Sequence, residues 1–552
     1  MHRRIALGLF ALLGCSNPPS PAMDSGGDAG RDSGADAPSD LGDGGAPGDA
    51  PRVYEPFNPN PRGSFPQGFL WGSATAPYQI EGGLSGTDWA RWEAMPMRIA
   101  GGHRADDGPR SFTHFEQDLD ALVASHQNAY RLGFDWWRLF PTREGWQRCR
   151  DARAMPLDAF RTVCRGAASM EGVRYYHRVL EAMASRRLTP MVTLHHFVFP
   201  GYLNDLSMPA GTQGFANDAI ADDFSAFARF LGSEYGREVD WWVTINEPFA
   251  YVAGGYLQTN FPPAAPFDAP LVLRVVRNMI RAHVAAYDAL HESDTERAQG
   301  AGDAGAGAPA RVSIAAHNRV WRPLRADSED DVAAARHLGY LNNLLFLNAI
   351  IRGDADNDGD GSLDGPTDRR GDPAWRGRAD WVGINYYGLA LVRGLRTFPL
   401  LRGLPMLSSL PTDLPKSDLD WDVYPQGFVE VLHEAAQYGL PIIITENGVA
   451  DAAGTSRPRF LAEHLAAVAA ALRAGDRVLG YFHWSIVDNF EWHEGYCPRF
   501  GLYRVDYDNP MRPRTPTPAA DTFRRIIDAN EVTDALLGSL PPYAPPRLCH
   551  PR

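Results

Sequence analysis

A chain of 552 residues that is 44% hydrophobic and 22% charged can bury at least one large core, which excludes disorder throughout. No interior run of about 20 uninterrupted apolar residues occurs, so no spanning helix is expected beyond the N-terminus. The formal charge of −14, without any basic patch or run, argues against nucleic acid as a partner.

At the N-terminus Arg3 and Arg4 precede a short apolar run from Ile5 to Leu13, too short to span a membrane, which reads as an export signal over residues 1–14. Leu12-Leu13-Gly14-Cys15 resembles a bacterial lipobox, in which cleavage leaves Cys15 to be diacylated and held at the cell envelope, with the outer membrane as the expected location. An ordinary signal peptide with a chance cysteine is the alternative, and would give a secreted or periplasmic protein. Residues 15–52 carry almost no large apolar side chain, and Asp24, Asp28, Asp32, Asp36, Asp40, Asp43 and Asp49 outweigh Arg31. Such a segment cannot repay the entropy of ordering and reads as an extended acidic tether, so much of the net charge says nothing about partners.

Residues 53–552 read as one domain. From Phe65 onward, short β-branched or aromatic runs alternate with stretches of helical periodicity, the pattern of a parallel sheet covered by helices. Strands are predicted over Gly68 to Ala74, Ala129 to Trp136, Pro190 to His195, Trp242 to Asn246, Val312 to Ala316, Trp381 to Tyr386, Pro441 to Thr445 and Val478 to Trp484. Helices are predicted over Asp118 to Ser125, Val173 to Ser185, Asp222 to Tyr235, Val275 to His291, Gly427 to Tyr438 and Pro458 to Ala474. An α/β fold closed as a single (β/α)8 TIM barrel is the economical solution. If Cys15 is acylated, four cysteines remain; sequence proximity favours Cys149 with Cys164 and leaves Cys497 with Cys549, while other connectivities and free buried thiols stay open.

Two insertions interrupt the alternation. Thr295 to Pro309 is rich in Gly and Ala and reads as a mobile loop. Gly353 to Gly371 contains Asp356-Asn357-Asp358-Gly359-Asp360-Gly361-Ser362-Leu363-Asp364, which fits the D-x-D-x-D-G pattern of a calcium loop, with Asp356, Asp358, Asp360 and Asp364 as expected ligands. Thr367 takes the place of the usual twelfth-position glutamate, Asp368 follows it, and a solvated acidic loop is the alternative.

A barrel of this kind places its chemistry at the carboxyl ends of the strands. Glu247 ends the run Trp241-Trp242-Val243-Thr244-Ile245-Asn246-Glu247-Pro248, and Glu446 ends Pro441-Ile442-Ile443-Ile444-Thr445-Glu446-Asn447-Gly448. Glycoside hydrolysis needs two such carboxyl groups flanking one bond. From Phe65 to Ile527 the chain resembles glycoside hydrolase family 1, the β-glucosidase family. Thr244-Ile245-Asn246-Glu247-Pro248 resembles the family's acid/base motif and Ile444-Thr445-Glu446-Asn447-Gly448 its nucleophile motif.

That resemblance implies a retaining β-glycosidase acting through a covalent glycosyl-enzyme, with Glu247 as acid/base, Glu446 as nucleophile and no cofactor, so any calcium would be structural. Phe69-Leu70-Trp71-Gly72-Ser73-Ala74-Thr75-Ala76-Pro77-Tyr78-Gln79-Ile80-Glu81-Gly82 is similar to the family's N-terminal signature, with Pro77 in place of a small residue, and puts Gln79 on the sugar hydroxyls. By the same resemblance His196 and Asn246 contact the sugar, Asn246 at the 2-hydroxyl. Arg131 and Tyr387, the latter in Gly383-Ile384-Asn385-Tyr386-Tyr387 with Asn385, sit beside the nucleophile and keep its pKa low, while burial raises that of Glu247. Trp484 and Trp492 offer stacking faces, and Glu491 offers acceptors that would repel a sugar phosphate. Trp137, where serine is commoner, and the Cys149 to Cys164 region depart from the family pattern and are expected near the leaving-group side. The expected substrate is a small β-linked oligosaccharide or an aryl or alkyl glycoside, with membrane contact only through the N-terminal lipid. A transglycosylase using a sugar or lipid acceptor, and a catalytically silent sugar-binding barrel, are the competing readings.

Overall fold

The computed structural model describes residues 64–298, 309–394, 403–406 and 412–550. The export signal, Cys15, the acidic tether and residues 299–308 of the first insertion lie outside the described residues. Eight parallel strands form a closed ring: β1 (Leu70–Ala74), β2 (Ala129–Gly133), β3 (Thr189–His195), β4 (Trp241–Asn246), β5 (Arg311–Pro323), β6 (Val382–Gly394), β7 (Ile442–Asn447) and β8 (Val478–Trp484). Each pairs with its neighbour, and β1 closes on β8 in the register Leu70↔Gly480 to Ala74↔Trp484. A short strand, Gly403–Met406, runs antiparallel to the far end of β6, outside the ring.

Eight helices follow the strands in turn: α1 (Ser111–Ala124), α2 (Met170–Ser185), α3 (Ile220–Tyr235), α4 (Ala269–Ser293), α5 (Glu329–Gly339), α6 (Pro425–Ala436), α7 (Arg457–Ala474) and α8 (Pro518–Ala529). Their ends are set by local chemistry. The Ser169 hydroxyl accepts from Gly172 N to cap α2, and α7 stops at Gly475, whose φ of 103° an L side chain rarely adopts. The apolar faces close over the sheet; Phe224, Phe227, Phe230 and Leu231 of α3 are fully buried, with Trp136 stacked on Phe227 at 4.2 Å.

Two elements run further than their patterning suggests. Beyond Ala316 the sequence of β5 turns polar at His317-Asn318-Arg319, yet these side chains are buried and the strand continues to Pro323. The compensation is a pair of asparagines from the chain after α5. Asn342 bonds both the ring and the carbonyl of His317, and Asn343 accepts from Arg319 N at 3.3 Å and donates to Arg319 O at 3.0 Å. The extensions of β5 and β6 then carry a small separate core of Trp321, Val392, Ala334, Ala335 and Leu338 against α5.

Disulfides join Cys149 to Cys164 and Cys497 to Cys549. The first staples the helical hairpin Arg143–Asp151 and Leu157–Ala167, which packs on α3 outside the barrel. The second ties the C-terminal tail to the loop after β8, where Arg547 N and Cys549 N also donate to Asp418. No helix among the described residues is long and apolar enough to cross a membrane.

Candidate active site

The chain leaves β4 through a sharp turn at Glu247, whose φ of 42° and ψ of 64° lie in the left-handed region. Pro248 then opens a short helix, Pro248–Val252, and Glu247 N is held by Ala315 O of β5 at 2.7 Å. A non-glycine residue in this conformation costs roughly 1–3 kcal/mol and needs support from its surroundings. The result is a glutamate aimed from the rim into the barrel mouth. Glu446 needs no such turn, because it lies within β7.

Between them stands a tightly bonded layer. Arg131, from β2 and fully buried, donates from Nη1 to Glu446 Oε1 at 2.6 Å, from Nη2 to Asn246 Oδ1 at 2.7 Å and from Nε to Thr193 Oγ1 at 3.1 Å. Tyr387 OH donates to the other oxygen of Glu446 at 2.9 Å. Asn385, oriented by Thr445 Oγ1 donating to its carbonyl at 2.6 Å, turns its amide N–H toward Glu247 Oε1 at 2.9 Å and Asn246 Oδ1 at 3.1 Å. The two carboxyls therefore have unequal surroundings: a cation and a phenol for Glu446, one neutral amide for Glu247.

Burial pushes Glu247 up to about 7, against the Asn385 bond and the charges of Arg319 and Arg131. Burial also pushes Glu446 up to about 7, with Glu247 adding to the rise and Arg131 and Tyr387 opposing it. The expected low pKa of the nucleophile is thus corrected: loss of water outweighs even a direct guanidinium contact. The two titrate as a pair, and the donors around Glu446 favour its ionised form.

Of the remaining predicted positions, His196, Trp484, Glu491 and Trp492 line the same cleft, while Gln79 is buried beside Glu491 at 3.5 Å. His196 is buried and held well below its usual pKa by burial; one ring nitrogen meets Asn246 Nδ2 at 3.0 Å and the other has no partner. Gln79 donates to Asn489 Oδ1 and the Phe490 carbonyl, leaving its own buried carbonyl oxygen without a donor. Glu491 is raised to about 8 by burial first and then by the charge of Glu446. Trp484 and Trp492 line the cleft and stack loosely on His196, with centroids 5.8 and 5.9 Å away.

Two expectations about the leaving-group side are not met. Trp137 does not line the cleft but packs over Gly86, and the Cys149–Cys164 hairpin lies outside the barrel. In the acidic insertion the converging carboxylates are Asp356, Asp358 and Asp368, whose oxygens lie within 4.8 Å of one another. Asp360 and Asp364 are drawn instead to Ser362, at 2.6 and 3.2 Å from its hydroxyl. Conversely, His317, Arg319, Trp421 and Asn260 line the cleft without having been anticipated. Arg319 was legible in principle, since it follows a predicted strand by three residues on the catalytic rim.

A model of glycosyl hydrolase family 1 matches residues 61–148 and 160–532, the gap falling in the stapled hairpin. The chain is 31% identical over 514 residues to a β-galactosidase of Pyrococcus woesei, covering 85% of this chain and 98% of that one. It is 30% identical over 468 residues to β-glucosidase A of Thermotoga maritima, covering 81% and 94% respectively. The solved family 1 β-glucosidase of Thermotoga maritima superposes with a TM-score of 0.70 at 27% identity, covering 85% of this chain and 99% of that chain. With a family match over most of its length and a paired-carboxylate cleft at the ends of β4 and β7, the chain belongs to glycosyl hydrolase family 1.

Proposed function

We propose that this retaining β-glycosidase hydrolyses unphosphorylated β-D-glucosides, and β-D-galactosides or β-D-fucosides alongside them, with Glu446 as nucleophile and Glu247 as acid/base. The observation that carries the assignment of roles is the inequality of the two carboxyls: Arg131 and Tyr387 favour the ionised form of Glu446, while Glu247 keeps a proton. In the first step Glu446 bonds to the anomeric carbon as the bond to the leaving oxygen breaks, and Glu247 gives that oxygen its proton. In the second, ionised Glu247 takes a proton from water, whose oxygen displaces Glu446 and leaves a β-configured sugar. Asn246, clamped by Arg131, suits a bond to the 2-hydroxyl. The unsatisfied Gln79 carbonyl and Glu491 suit a vicinal hydroxyl pair, and Trp484 and Trp492 suit the ring.

Among the described residues the one Arg or Lys lining the cleft is Arg319, across the barrel from Gln79, which favours a sugar without phosphate. Relatives named β-glucosidase and β-galactosidase support the sugar class. Proton NMR of wild-type turnover on aryl β-D-glycosides tests the reading. The β-anomer is expected before mutarotation, and initial release of the α-anomer would overturn it.

We further propose that the protein is exported and anchored through lipid on Cys15, as its N-terminal sequence suggests. Replacing Cys15 by Ala is expected to release it to a soluble exported form with unchanged turnover; a variant that still sediments with membranes contradicts the anchor. The convergence of Asp356, Asp358 and Asp368 supports a structural calcium in the acidic insertion, distant in role from catalysis.

A further inference from the structure

Arg319 occupies the end of the barrel segment of β5, across the ring from β1 and the sugar-side residue Gln79. Its side chain is buried at 1% exposure and borders the cleft beside Glu247. Nη1 donates to the Tyr387 carbonyl at 3.2 Å, Nε has no acceptor, and among the described residues no carboxylate oxygen comes within 4.0 Å of the guanidinium. The guanidinium lies 4.7 Å from the ring centre of Trp421, whose own buried indole N–H also lacks an acceptor. The charged guanidinium, with one carbonyl as its acceptor, and the Trp421 indole thus each keep an N–H that the protein leaves without a partner. Burial pulls Arg319 down to about 10, against the opposing charges of Glu247 and Asp422.

The other charged groups of the cleft have partners or are held toward the neutral form, as burial holds Glu491. Arg131 is paired with Glu446, and Glu494 is flanked by His493 and His550. Glu247 carries the proton it must donate. What is left is one positive charge at the end of the barrel segment of β5, in the same cleft as Glu247, the residue proposed to protonate the leaving group. Phe261, Leu419 and Phe500 give the same cleft flat and aliphatic walls.

We propose that Arg319 and Trp421 form a leaving-group subsite for an aromatic carboxylate, so that the enzyme prefers β-glycosides whose leaving group is an aromatic acid. A carboxylate is acceptor-only, matches the guanidinium fork with two parallel bonds and can take the indole N–H as well. The inference rests on the assignment of Glu247 as acid/base.

The test is kinetic discrimination between 4-carboxyphenyl β-D-glucoside and its neutral isostere, 4-carbamoylphenyl β-D-glucoside, with 4-nitrophenyl β-D-glucoside as a reference. Wild type is expected to favour the carboxylate in kcat/KM. Arg319→Met is expected to cut that ratio about tenfold, the range for a charge-assisted hydrogen bond. Arg319→Lys, which keeps the charge but loses the fork, should retain part of it. Because each variant is its own control, lowered stability does not move the ratio. Turnover of the reference with a wild-type ratio near or below one, or a ratio unmoved in both variants, overturns the subsite alone. Absence of turnover of all three glycosides by wild type overturns the glycosidase reading and the subsite with it.

Discussion

Arg131 and Glu446 meet at 2.6 Å, both buried, and the second guanidinium nitrogen of the same arginine grips Asn246, the residue before Glu247. One side chain from β2 therefore fixes the end of β7 and the end of β4 together, with Thr193 of β3 as a third point. A pair of carboxyls that must flank a single bond is held by bonds across the strands, independent of any flexible loop.

Replacing Arg131 by Met removes the charge that opposes the burial of Glu446. The carboxyl pKa then rises further above its present value of about 7, so the ionised nucleophile is lost at higher pH. The acidic limb of kcat/KM against pH is expected to move upward by more than the alkaline limb, because Arg131 bonds Glu446 directly and opposes the rise of Glu247 only through its more distant charge. A fall of at least about a hundredfold at pH 7 is expected, in line with removal of a preorganised charged donor. A pH profile scaled down but unshifted would refute the role assigned to Arg131.

The barrel and its two glutamates were legible because the strands carrying them are continuous apolar runs ending in a carboxylate, and β8 matched its predicted limits of Val478 to Trp484. What patterning could not reveal is polar residues made compatible with burial by partners distant in sequence. His317 and Arg319 look like the end of a strand until Asn342 and Asn343 are seen to bond them. In the acidic insertion, likewise, regular spacing does not fix where backbone turns aim carboxylates. Asp360 and Asp364 serve Ser362, and Asp368, from outside the repeating pattern, completes the cluster. Helix α5 was missed because its apolar content is a run of small alanines serving a separate small core.

Asp294, just beyond α4, accepts from Trp242 Nε1 at 2.8 Å and is pushed up to about 8, chiefly by burial. Its folded pKa lies above the unfolded value of 3.8, so its contribution is fully present below pH 3.8 and is lost as pH rises through 8. Across that window the native state holds a proton that the unfolded chain has released, at up to about 1.4 kcal/mol per pH unit. Asp294→Asn keeps the acceptor for Trp242 and removes the titration. Thermal unfolding of the variant is expected to depend less on pH between 5 and 8 than that of wild type, with the variant more stable at pH 8. Parallel curves for the two proteins would show that Asp294 is ionised in the fold.

Chelation bears on the acidic insertion. If calcium bridges Asp356, Asp358 and Asp368, excess chelator should lower the melting temperature by several degrees, since a ligand bound only to the folded state stabilises it by mass action. Turnover at moderate temperature should change little, and Asp368→Asn should abolish the response to chelator. An unchanged melting temperature, with no calcium found by elemental analysis, removes the site.

The two glutamates are separable by rescue with a small anion. In Glu446→Gly no glycosyl-enzyme can form, and turnover should fall by more than about 10⁴-fold. The space vacated between Arg131 and Tyr387 retains both donors that faced the carboxylate, so azide can bind there and attack from the face opposite the leaving group. The product is then the α-glycosyl azide, formed only from substrates with good leaving groups if the acid/base is weakened by loss of its charged neighbour. In Glu247→Ala the nucleophile remains, so the glycosyl-enzyme still forms from an activated aryl glycoside; poor leaving groups, which need the proton, should slow by about 10²–10⁴-fold. Azide then approaches from the side where Arg319 supplies positive charge and the glutamate no longer repels it, and yields the β-glycosyl azide. Two azides of opposite configuration from the two variants are required by the assignment. The same configuration from both, or a β-azide from Glu446→Gly, would exchange or abolish the roles given to Glu247 and Glu446.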